Sequence, residues 1–446
     1  MYTMTTINEL YQQLHPESLK LFQEAQGLFP DGVTHDTRYM MPFPIYATHA
    51  EGPHKWDVDG NRYVDYVMGH GSLLLGHSHP AIVEAVTAQM SKGTHLGASH
   101  ETEIRWAQLV TKLVPSADKV RFTSSGTEAT LMALRLARAH TGKSKVIKFK
   151  DHFHGWHDYV VAGVGSVAGV PDATLRTMIV LEANDISLVD RTLSGDTDIA
   201  AVILEPTGAH MGMLPIQPSF LNDLRDVTQR HGVVLIFDEV VTGFRTSPGG
   251  AQGRYGVTPD LTTMAKILGG GLPAGGVAGR ADIMDMIQHT GEPDWDGSRR
   301  VAHPGTFNGN PVSASAGVAA LELVATTGVN ARADAMAQRL KDGLNRLLAT
   351  MEIPGCANGV ASLVHVTLGV QHECDGGICS LAAEQINAAM TPQRSSALKR
   401  ALINAGVDPM GGRGCIVSAT HTEQDIDHTV EAYEEALTAI RNEGII

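Results

Sequence analysis

The chain has a deficit of positive charge, few cysteines and no apolar run long enough to span a membrane. Its 34 lysines and arginines face 48 aspartates and glutamates, which gives a net charge of −14 at pH 7. That balance argues against a general nucleic-acid binder. Four irregularly spaced cysteines in 446 residues are typical of a reduced cytosolic protein. No secretory signal opens the chain, so we expect a cytoplasmic protein without a membrane partner.

Histidines and cysteines approach one another in sequence without the spacing of a metal site. Cys374 and Cys379 have His365 and His372 nearby, but this arrangement matches no standard zinc pattern. A surface loop is the better interpretation. We therefore predict no metal centre.

Two buried strands end at charged side chains. An apolar run, residues 233–237, stops at Asp238, and a second run, residues 261–265, ends at Lys266 with three glycines close behind. An acid and a lysine at strand ends can face one crevice of an α/β sheet, and burial can make such a lysine nucleophilic. Pyridoxal phosphate (PLP) needs this pair, a lysine for its Schiff base and an acid opposite its pyridinium nitrogen. A structural ion pair explains the two residues equally well.

Three segments carry a family resemblance. They read DEVVTGFR (238–245), GGAQGRYGVTPDLTTMAKILGGGLPAGGVAGR (249–280) and PGTFNGNP (304–311). Together they resemble the class III aminotransferases of PLP fold type I, with glutamate-1-semialdehyde aminomutase as the nearest subgroup. The resemblance runs from about Gly32 to about Leu437.

The resemblance implies an α/β fold in which a large domain, a mostly parallel sheet covered by helices, accompanies a smaller α+β domain built from both chain ends. Strand and helix patterns alternate after Pro80, as in a parallel sheet covered on both faces. We predict an N-terminal segment of the small domain with dimer contacts at 1–75. The large PLP-binding domain follows at 76–315, and the C-terminal small domain at 316–446.

The cofactor phosphate has a predicted site at a helix start. Ser125, Gly126 and Thr127 follow a short strand, residues 119–123, and precede a helical pattern. Backbone N–H groups at a helix start, with hydroxyls, hold a phosphate dianion well. A capped helix without a ligand has a similar sequence. By resemblance, these three residues bind the PLP phosphate.

The other predicted cofactor contacts rest on the resemblance, except that of Glu205, which rests on its position at a strand end. The segment KDHFHGWHD (150–158) contains three histidines, but the family has an aromatic-His-Gly turn here, so Phe153 is expected to stack on the cofactor ring and His154 to shape the turn. Glu205, at the end of an apolar run, is expected to orient the phenolic side of the cofactor or to gate the pocket. Thr306 is expected to reach the PLP phosphate of a neighbouring subunit. The active unit would then be a homodimer with shared active sites.

Two arginines are candidates for substrate binding. Arg38 lies in an irregular stretch, and VTHDTR (33–38) resembles the segment that carries a carboxylate-binding arginine. A planar guanidinium suits that task, although a solvated arginine is the simpler interpretation. Arg413, within Gly-Gly-Arg-Gly, is either a second carboxylate clamp or a charged residue in a turn.

These residues favour a PLP-dependent aminotransferase with Lys266 and Asp238 as catalytic residues. It would move an amino group between a carboxylate-bearing amine, possibly a β-amino acid, and a 2-oxo acid. The alternative is the aminomutase, which moves the amine within one substrate. Against it stand His210 in place of an asparagine, Arg413 in place of an acidic residue, and a shorter lid at 157–180. A non-catalytic scaffold would not need Lys266 and Asp238.

Overall fold

The structure is a computed structural model that describes residues 5–371 and 377–446. Its strands are β1 (Ala47–Glu51), β2 (His54–Asp57), β3 (Arg62–Asp65), β4 (Lys119–Thr123), β5 (Lys145–Phe149), β6 (Met178–Leu181), β7 (Ile199–Leu204), β8 (Leu214–Pro215), β9 (Val234–Asp238), β10 (Leu261–Ala265), β11 (Gly275–Gly279), β12 (Gly355–Asn358), β13 (Leu363–Leu368), β14 (Val407–Asp408) and β15 (Gly414–Ile416).

The α-helices are α1 (Ile7–Leu14), α2 (Pro16–Gln26), α3 (Met68–Gly71), α4 (Pro80–Met90), α5 (Glu101–Leu113), α6 (Gly126–Thr141), α7 (Asp172–Leu175), α8 (Ile186–Gly195), α9 (Ala209–Gly212), α10 (Pro218–Arg230), α11 (Gly250–Tyr255), α12 (Ala281–Met284), α13 (Pro311–Thr326), α14 (Val329–Thr350), α15 (Ala383–Ala389), α16 (Pro392–Asn404) and α17 (Glu423–Asn442). Short 3₁₀ helices span Pro30–Gly32, Asp36–Arg38, Lys266–Gly269 and Asp285–Ile287, and a π-helix spans Trp295–Arg299.

The chain forms two compact units. One consists of Met1–His79 with Ala331–Ile446, and the other of Pro80–Asn330. We call them the small and the large unit. The predicted domain boundaries at residues 75 and 315 stay predictions.

The large unit is built on one seven-stranded sheet with the order β4-β11-β10-β9-β7-β5-β6. All neighbouring strands in the run β6-β5-β7-β9-β10 are parallel, and only β11 runs against the others. Alternate residues of the central strands enter separate apolar clusters on the two faces, where α6 covers one face and α8 and α10 cover the other. Burial on both faces explains why these strands read as unbroken apolar runs. The predicted mostly parallel, helix-covered sheet is confirmed.

The small unit joins the two chain ends through one parallel strand pair. Val407 and Asp408 of β14 pair with Val64 and Asp65 of β3, which completes a four-stranded sheet, while β12, β13 and β15 form a second sheet. Helices α14, α16 and α17 contribute to the apolar core of this unit. The predicted α+β domain built from both chain ends is confirmed.

The cysteines differ from the sequence-based expectation. Cys379 and Cys415 are free, but Cys356 is disulfide-bonded, so the expectation of fully reduced cysteines is wrong at this position. His372 and Cys374, considered above as metal ligands, lie outside the described residues. In the described ranges, no single helix meets the length and hydropathy criteria for a membrane span, whereas the bent pair α13–α14 meets them when the two helices are taken together.

Candidate active site

Most of the predicted catalytic and cofactor residues follow strands of the large unit at one edge of its sheet. Asp238 ends β9, Lys266 follows β10, and Glu205 follows β7. The turn with Phe153 and His154 comes after β5. Because carboxyl ends of parallel strands meet at one edge, the fold brings these residues to one crevice, as expected for an open α/β sheet.

Asp238 is a buried carboxylate with three hydrogen-bond donors. Its Oδ2 accepts a hydrogen bond from Nδ1 of His154 at 2.7 Å. Its Oδ1 accepts from the hydroxyl of Thr263 and the N–H of Val240, both at 3.1 Å. Thr263 lies directly opposite Asp238 in the parallel register of β9 and β10. Donors on both oxygens stabilise the anionic carboxylate and fix its orientation.

Lys266 opens the short helix after β10 in a left-handed backbone conformation, with φ 53°. Burial lowers the pKa of its amine, and the carboxylate of Asp238, with that of Glu205 when it is ionised, opposes this shift. A lowered pKa raises the fraction of neutral, nucleophilic amine near neutral pH. Gly270 lets the following turn pack closely, because a Cβ there would lie 2.6 Å from the carbonyl oxygen of Ala316.

Glu205 is buried beside Phe153 and is the acid with the clearest perturbation at the site. Burial raises its pKa to about 8, and the charge of Asp238 adds to the effect. Its Oε1 accepts the N–H of Phe153 at 2.8 Å, and its Oε2 accepts the N–H of Met211 at 3.3 Å. At neutral pH a carboxyl group with this pKa is mostly protonated. Glu205 can therefore donate or accept a proton without a large change in free energy.

The start of α6 offers donors for an anion. The hydroxyl of Ser125 caps the helix by accepting the N–H of Glu128 at 3.2 Å. Within residues 5–371 and 377–446, the N–H groups of Gly126 and Thr127 have no hydrogen-bond partner. Free N–H groups at the start of a 16-residue helix suit a phosphate.

Gly155 brings the aromatic turn against this helix start. It has φ 100°, and a Cβ there would lie 2.6 Å from Oγ1 of Thr127. Only glycine allows this approach. A buried anion beside His154, a lysine with a lowered pKa and free N–H donors thus lie at one sheet edge, and this donor set fits the ring nitrogen, aldehyde and phosphate of PLP.

Thr306 is exposed and lies elsewhere in the large unit. Its carbonyl oxygen accepts a hydrogen bond from Nε2 of His95 at 2.6 Å. It lines a cavity of about 420 Å³ together with residues of the loop before α5, among them Leu96 and His100. No hydrogen bond among the described residues joins Thr306 to Asp238 or Lys266.

The two substrate-binding candidates lie in the small unit, and neither pairs with a carboxylate in the described part of the chain. Arg38 is exposed, donates from Nη1 to the hydroxyl of Thr34 at 3.0 Å, and lines a cavity of about 400 Å³. Arg413 is half-buried, and burial lowers the pKa of its guanidinium. Its Nη1 is buried without a hydrogen-bond partner.

Sequence reasoning missed three residues that support this site. Thr263 binds Asp238, Nδ1 of His152 accepts the N–H of Glu205 at 2.9 Å, and the fully buried Lys148 holds the loop after β5. Of these three, only Lys148 has a local sequence signal, because it is a lysine inside the apolar run VIKF (146–149). The other two contacts depend on strand register and on residues about fifty positions apart.

Comparison with known proteins gives consistent matches over nearly the whole chain. The family model described as Aminotransferase class-III matches residues 35–367. A protein of Brevibacillus brevis named glutamate-1-semialdehyde 2,1-aminomutase 2 is 40% identical, covering 94% of this chain and 98% of its own. An omega-transaminase structure from Sphaerobacter thermophilus is 34% identical with a TM-score of 0.87, covering 95% and 98%. A β-phenylalanine aminotransferase from Variovorax paradoxus is 30% identical with a TM-score of 0.84, covering 99% and 98%.

Proposed function

The chain belongs to the class III aminotransferase family, and on this premise we propose that it transfers an amino group between a carboxylate-bearing amine and a 2-oxo acid. The predicted PLP fold type I is confirmed, as is the predicted similarity to the aminomutase subgroup. The cofactor is PLP, as predicted. The choice of an intermolecular transfer, and of the residues that perform it, is our proposal.

Arg413 supports a substrate that carries a carboxylate, and its position, where the aminomutase is expected to have an acidic residue, favours the intermolecular transfer. It is a half-buried guanidinium without a carboxylate partner among the described residues, and one of its buried nitrogens makes no hydrogen bond. Leaving a buried charged donor unpaired is costly, so such a residue suits a carboxylate that arrives with the substrate. Arg38, also without an acidic partner, is proposed as a second carboxylate contact.

Each catalytic residue has a task that follows from its surroundings. The bound cofactor supplies an electron-accepting ring that takes up the electron pair released at Cα of the substrate. Asp238, fixed by His154 and Thr263, keeps the proton on the ring nitrogen. Nζ of Lys266 acts first as a nucleophile and then, as a neutral amine, as the base that moves the Cα proton. Gly126 and Thr127 hold the phosphate through their N–H groups.

Removal of either arginine tests the carboxylate contact. Arg38→Ala and Arg413→Ala are each expected to lower kcat/KM for a β-amino acid by about ten- to a hundredfold, because a charge-assisted contact contributes roughly 1.5–3 kcal/mol. An amine of the same skeleton without the carboxylate is the control and should react almost as before. Equal losses for both substrates would contradict the assignment.

A donor and acceptor screen tests the reaction itself. The purified enzyme is expected to form a new amino acid from pyruvate or 2-oxoglutarate when an amine donor is present. The second candidate, glutamate-1-semialdehyde 2,1-aminomutase, is favoured by the name of the Brevibacillus brevis relative. Efficient isomerisation of glutamate-1-semialdehyde, with no amino transfer to either 2-oxo acid, would overturn our proposal in favour of that candidate.

We also propose a homodimer with shared active sites. Helix α4 buries none of its residues although its composition is apolar. Large apolar side chains are exposed on α4, on the loop after it, on α5 and beside Thr306, namely Val83, Met90, Leu96, Ile104 and Phe307. Exposed apolar groups of this number are typical of an interface. A second copy of this chain fits them, because Phe307 adjoins the residue expected to reach the neighbouring phosphate.

Hybrid dimers test the role of Thr306. Thr306→Ala is expected to weaken PLP retention, since a phosphate contact is lost. A dimer of one Thr306→Ala chain and one Lys266→Ala chain should contain one doubly damaged site and one intact site, and so about half the wild-type activity. The measurement is the activity of hybrids purified with two different tags. Hybrids that are no more active than half of the Thr306→Ala homodimer would mean that Thr306 and Lys266 serve the site of the same chain.

A further inference from the structure

Phe153 is positioned by its backbone rather than by packing of its ring. Its side chain is 54% exposed, and no aromatic partner contacts it among the described residues. A ring that is more than half exposed and has no aromatic partner depends strongly on the main chain that carries it. The hydrogen bonds of residues 152 and 153 therefore decide where this ring lies.

Two reciprocal hydrogen bonds fix that main chain to the end of β7. The N–H of Glu205 donates to Nδ1 of His152 at 2.9 Å, and the N–H of Phe153 donates to Oε1 of Glu205 at 2.8 Å. We call this pair the His152–Glu205 clasp. Both side chains are almost completely buried, so water does not compete for these bonds. The clasp resembles a capping box, but it joins residues 53 positions apart.

The protonation state of His152 suits this contact. Burial is the main cause that lowers the pKa of His152 well below its ordinary value. The ring is therefore neutral, and because Nδ1 accepts a hydrogen bond, the ring proton lies on Nε2. Protonation of Nδ1 would break the bond to Glu205.

The far end of the same loop is held independently. Nζ of Lys148 donates to the carbonyl oxygens of Val160 and Ala162 at 2.6 and 2.7 Å. The N–H of Asp151 donates to the carbonyl oxygen of Gly163 at 2.8 Å. The loop thus stays closed without the clasp. The N–H of His152 also donates to the carbonyl oxygen of Phe149 at 3.3 Å, but only the clasp ties residues 152 and 153 to the end of β7 among the hydrogen bonds of the described residues.

We propose that His152 is a positioning residue, which holds Phe153 in place for stacking on the PLP ring through the His152–Glu205 clasp. This inference rests on the proposed contact between Phe153 and the cofactor. It assigns a function to a histidine that no motif of the family resemblance covers. Loss of the Nδ1 acceptor should leave the fold intact and weaken cofactor binding.

Two substitutions at His152 distinguish the effect of losing the hydrogen-bond acceptor from the effect of changing the volume of the side chain. His152→Leu fills a similar volume but cannot accept the N–H of Glu205, whereas Oδ1 of His152→Asn lies close to the position of Nδ1. We expect PLP to bind the apo form of the leucine variant about tenfold more weakly, and that of the asparagine variant within about threefold of wild type. Visible absorbance and circular dichroism of bound PLP give the affinity. His152→Met, whose thioether is only a weak acceptor, replaces the leucine variant if that variant does not fold.

Controls distinguish positioning from general destabilisation. Thr228→Val removes a buried hydrogen bond elsewhere in the large unit and should lower the unfolding temperature without changing PLP affinity. In a double-mutant cycle, His152→Leu should have no further effect on PLP affinity once Phe153→Ala is present.

Three results would overturn the inference: unchanged PLP affinity in His152→Leu, an equal loss in His152→Asn, or additive losses in the cycle. A wild-type protein that binds no PLP would instead refute the proposed function.

Discussion

Lys266→Ala is expected to abolish turnover, with a loss of at least about a thousandfold. General acid–base catalysis alone contributes roughly 10²- to 10⁴-fold, and this lysine is also the proposed nucleophile. Its amine is the one whose pKa is lowered by burial next to both Asp238 and Glu205. Lys266→Arg is the matched control, since it keeps a positive charge but stays protonated at neutral pH. It should be as inactive as the alanine variant.

Chemical labelling identifies the lysine directly. Reduction of the wild-type protein with borohydride, followed by peptide mapping, should place the pyridoxyl label on the peptide with Lys266. The alanine and arginine variants should bind PLP without covalent label at that peptide. The buried Lys148, whose pKa burial lowers to about 8, is the structural competitor. A label on Lys148 in the wild-type protein would contradict the assignment of Lys266.

The strands that deliver the site were predictable because their sequences leave little choice. Residues 261–265 were predicted as a strand and form one, and residues 119–123 likewise. The run predicted at 233–237 forms a strand at Val234–Asp238, so Asp238 ends the strand rather than following it. Unbroken β-branched and apolar runs of this length fit a sheet buried on both faces.

The supporting contacts were not predictable, since they join residues far apart in sequence. Neither the bond from Thr263 to Asp238 nor the one from Glu205 to His152 has a local sequence signal. Each depends on the strand order and register, which a single sequence does not determine. The histidine cluster after β5 illustrates the difficulty. A metal site and a hydrogen-bonded turn require the same residue type there.

The site contains two buried carboxyl groups, Asp238 and Glu205, whose surroundings differ. Asp238 accepts hydrogen bonds from three donors, which suits a fixed partner for the ring nitrogen. Glu205 is also a buried carboxyl group, but its pKa of about 8 suits exchange of a proton at neutral pH. Two carboxyl groups with different environments at one sheet edge can therefore perform different tasks. We expect only Asp238 to be indispensable for holding the proton on the ring nitrogen of PLP.

Asp238→Asn should accordingly retain PLP and lose most turnover. The amide oxygen can still accept from Nδ1 of His154, and the hydroxyl of Thr263 can turn to accept from the amide NH2, while the N–H of Val240 loses its acceptor. We expect PLP to stay bound through its phosphate contacts. The ring nitrogen, however, loses its anionic partner. Removal of one partner of a buried charge pair costs about 3–5 kcal/mol, which corresponds to a rate loss of at least roughly a hundredfold. Single-turnover rates with a saturating amine donor measure this loss apart from substrate binding.

Thr263→Val is the matched control for this substitution. It removes the 3.1 Å hydrogen bond to Oδ1 of Asp238 and leaves the charge in place. A hydrogen bond to a charged group contributes roughly 1.5–3 kcal/mol to stability, but the charge and its two other donors stay in place, so the valine variant should lose at most about tenfold in rate. A hundredfold loss in Asp238→Asn beside a small loss in Thr263→Val assigns the effect to the charge. If both variants turn over at nearly the wild-type rate, another group must face the ring nitrogen.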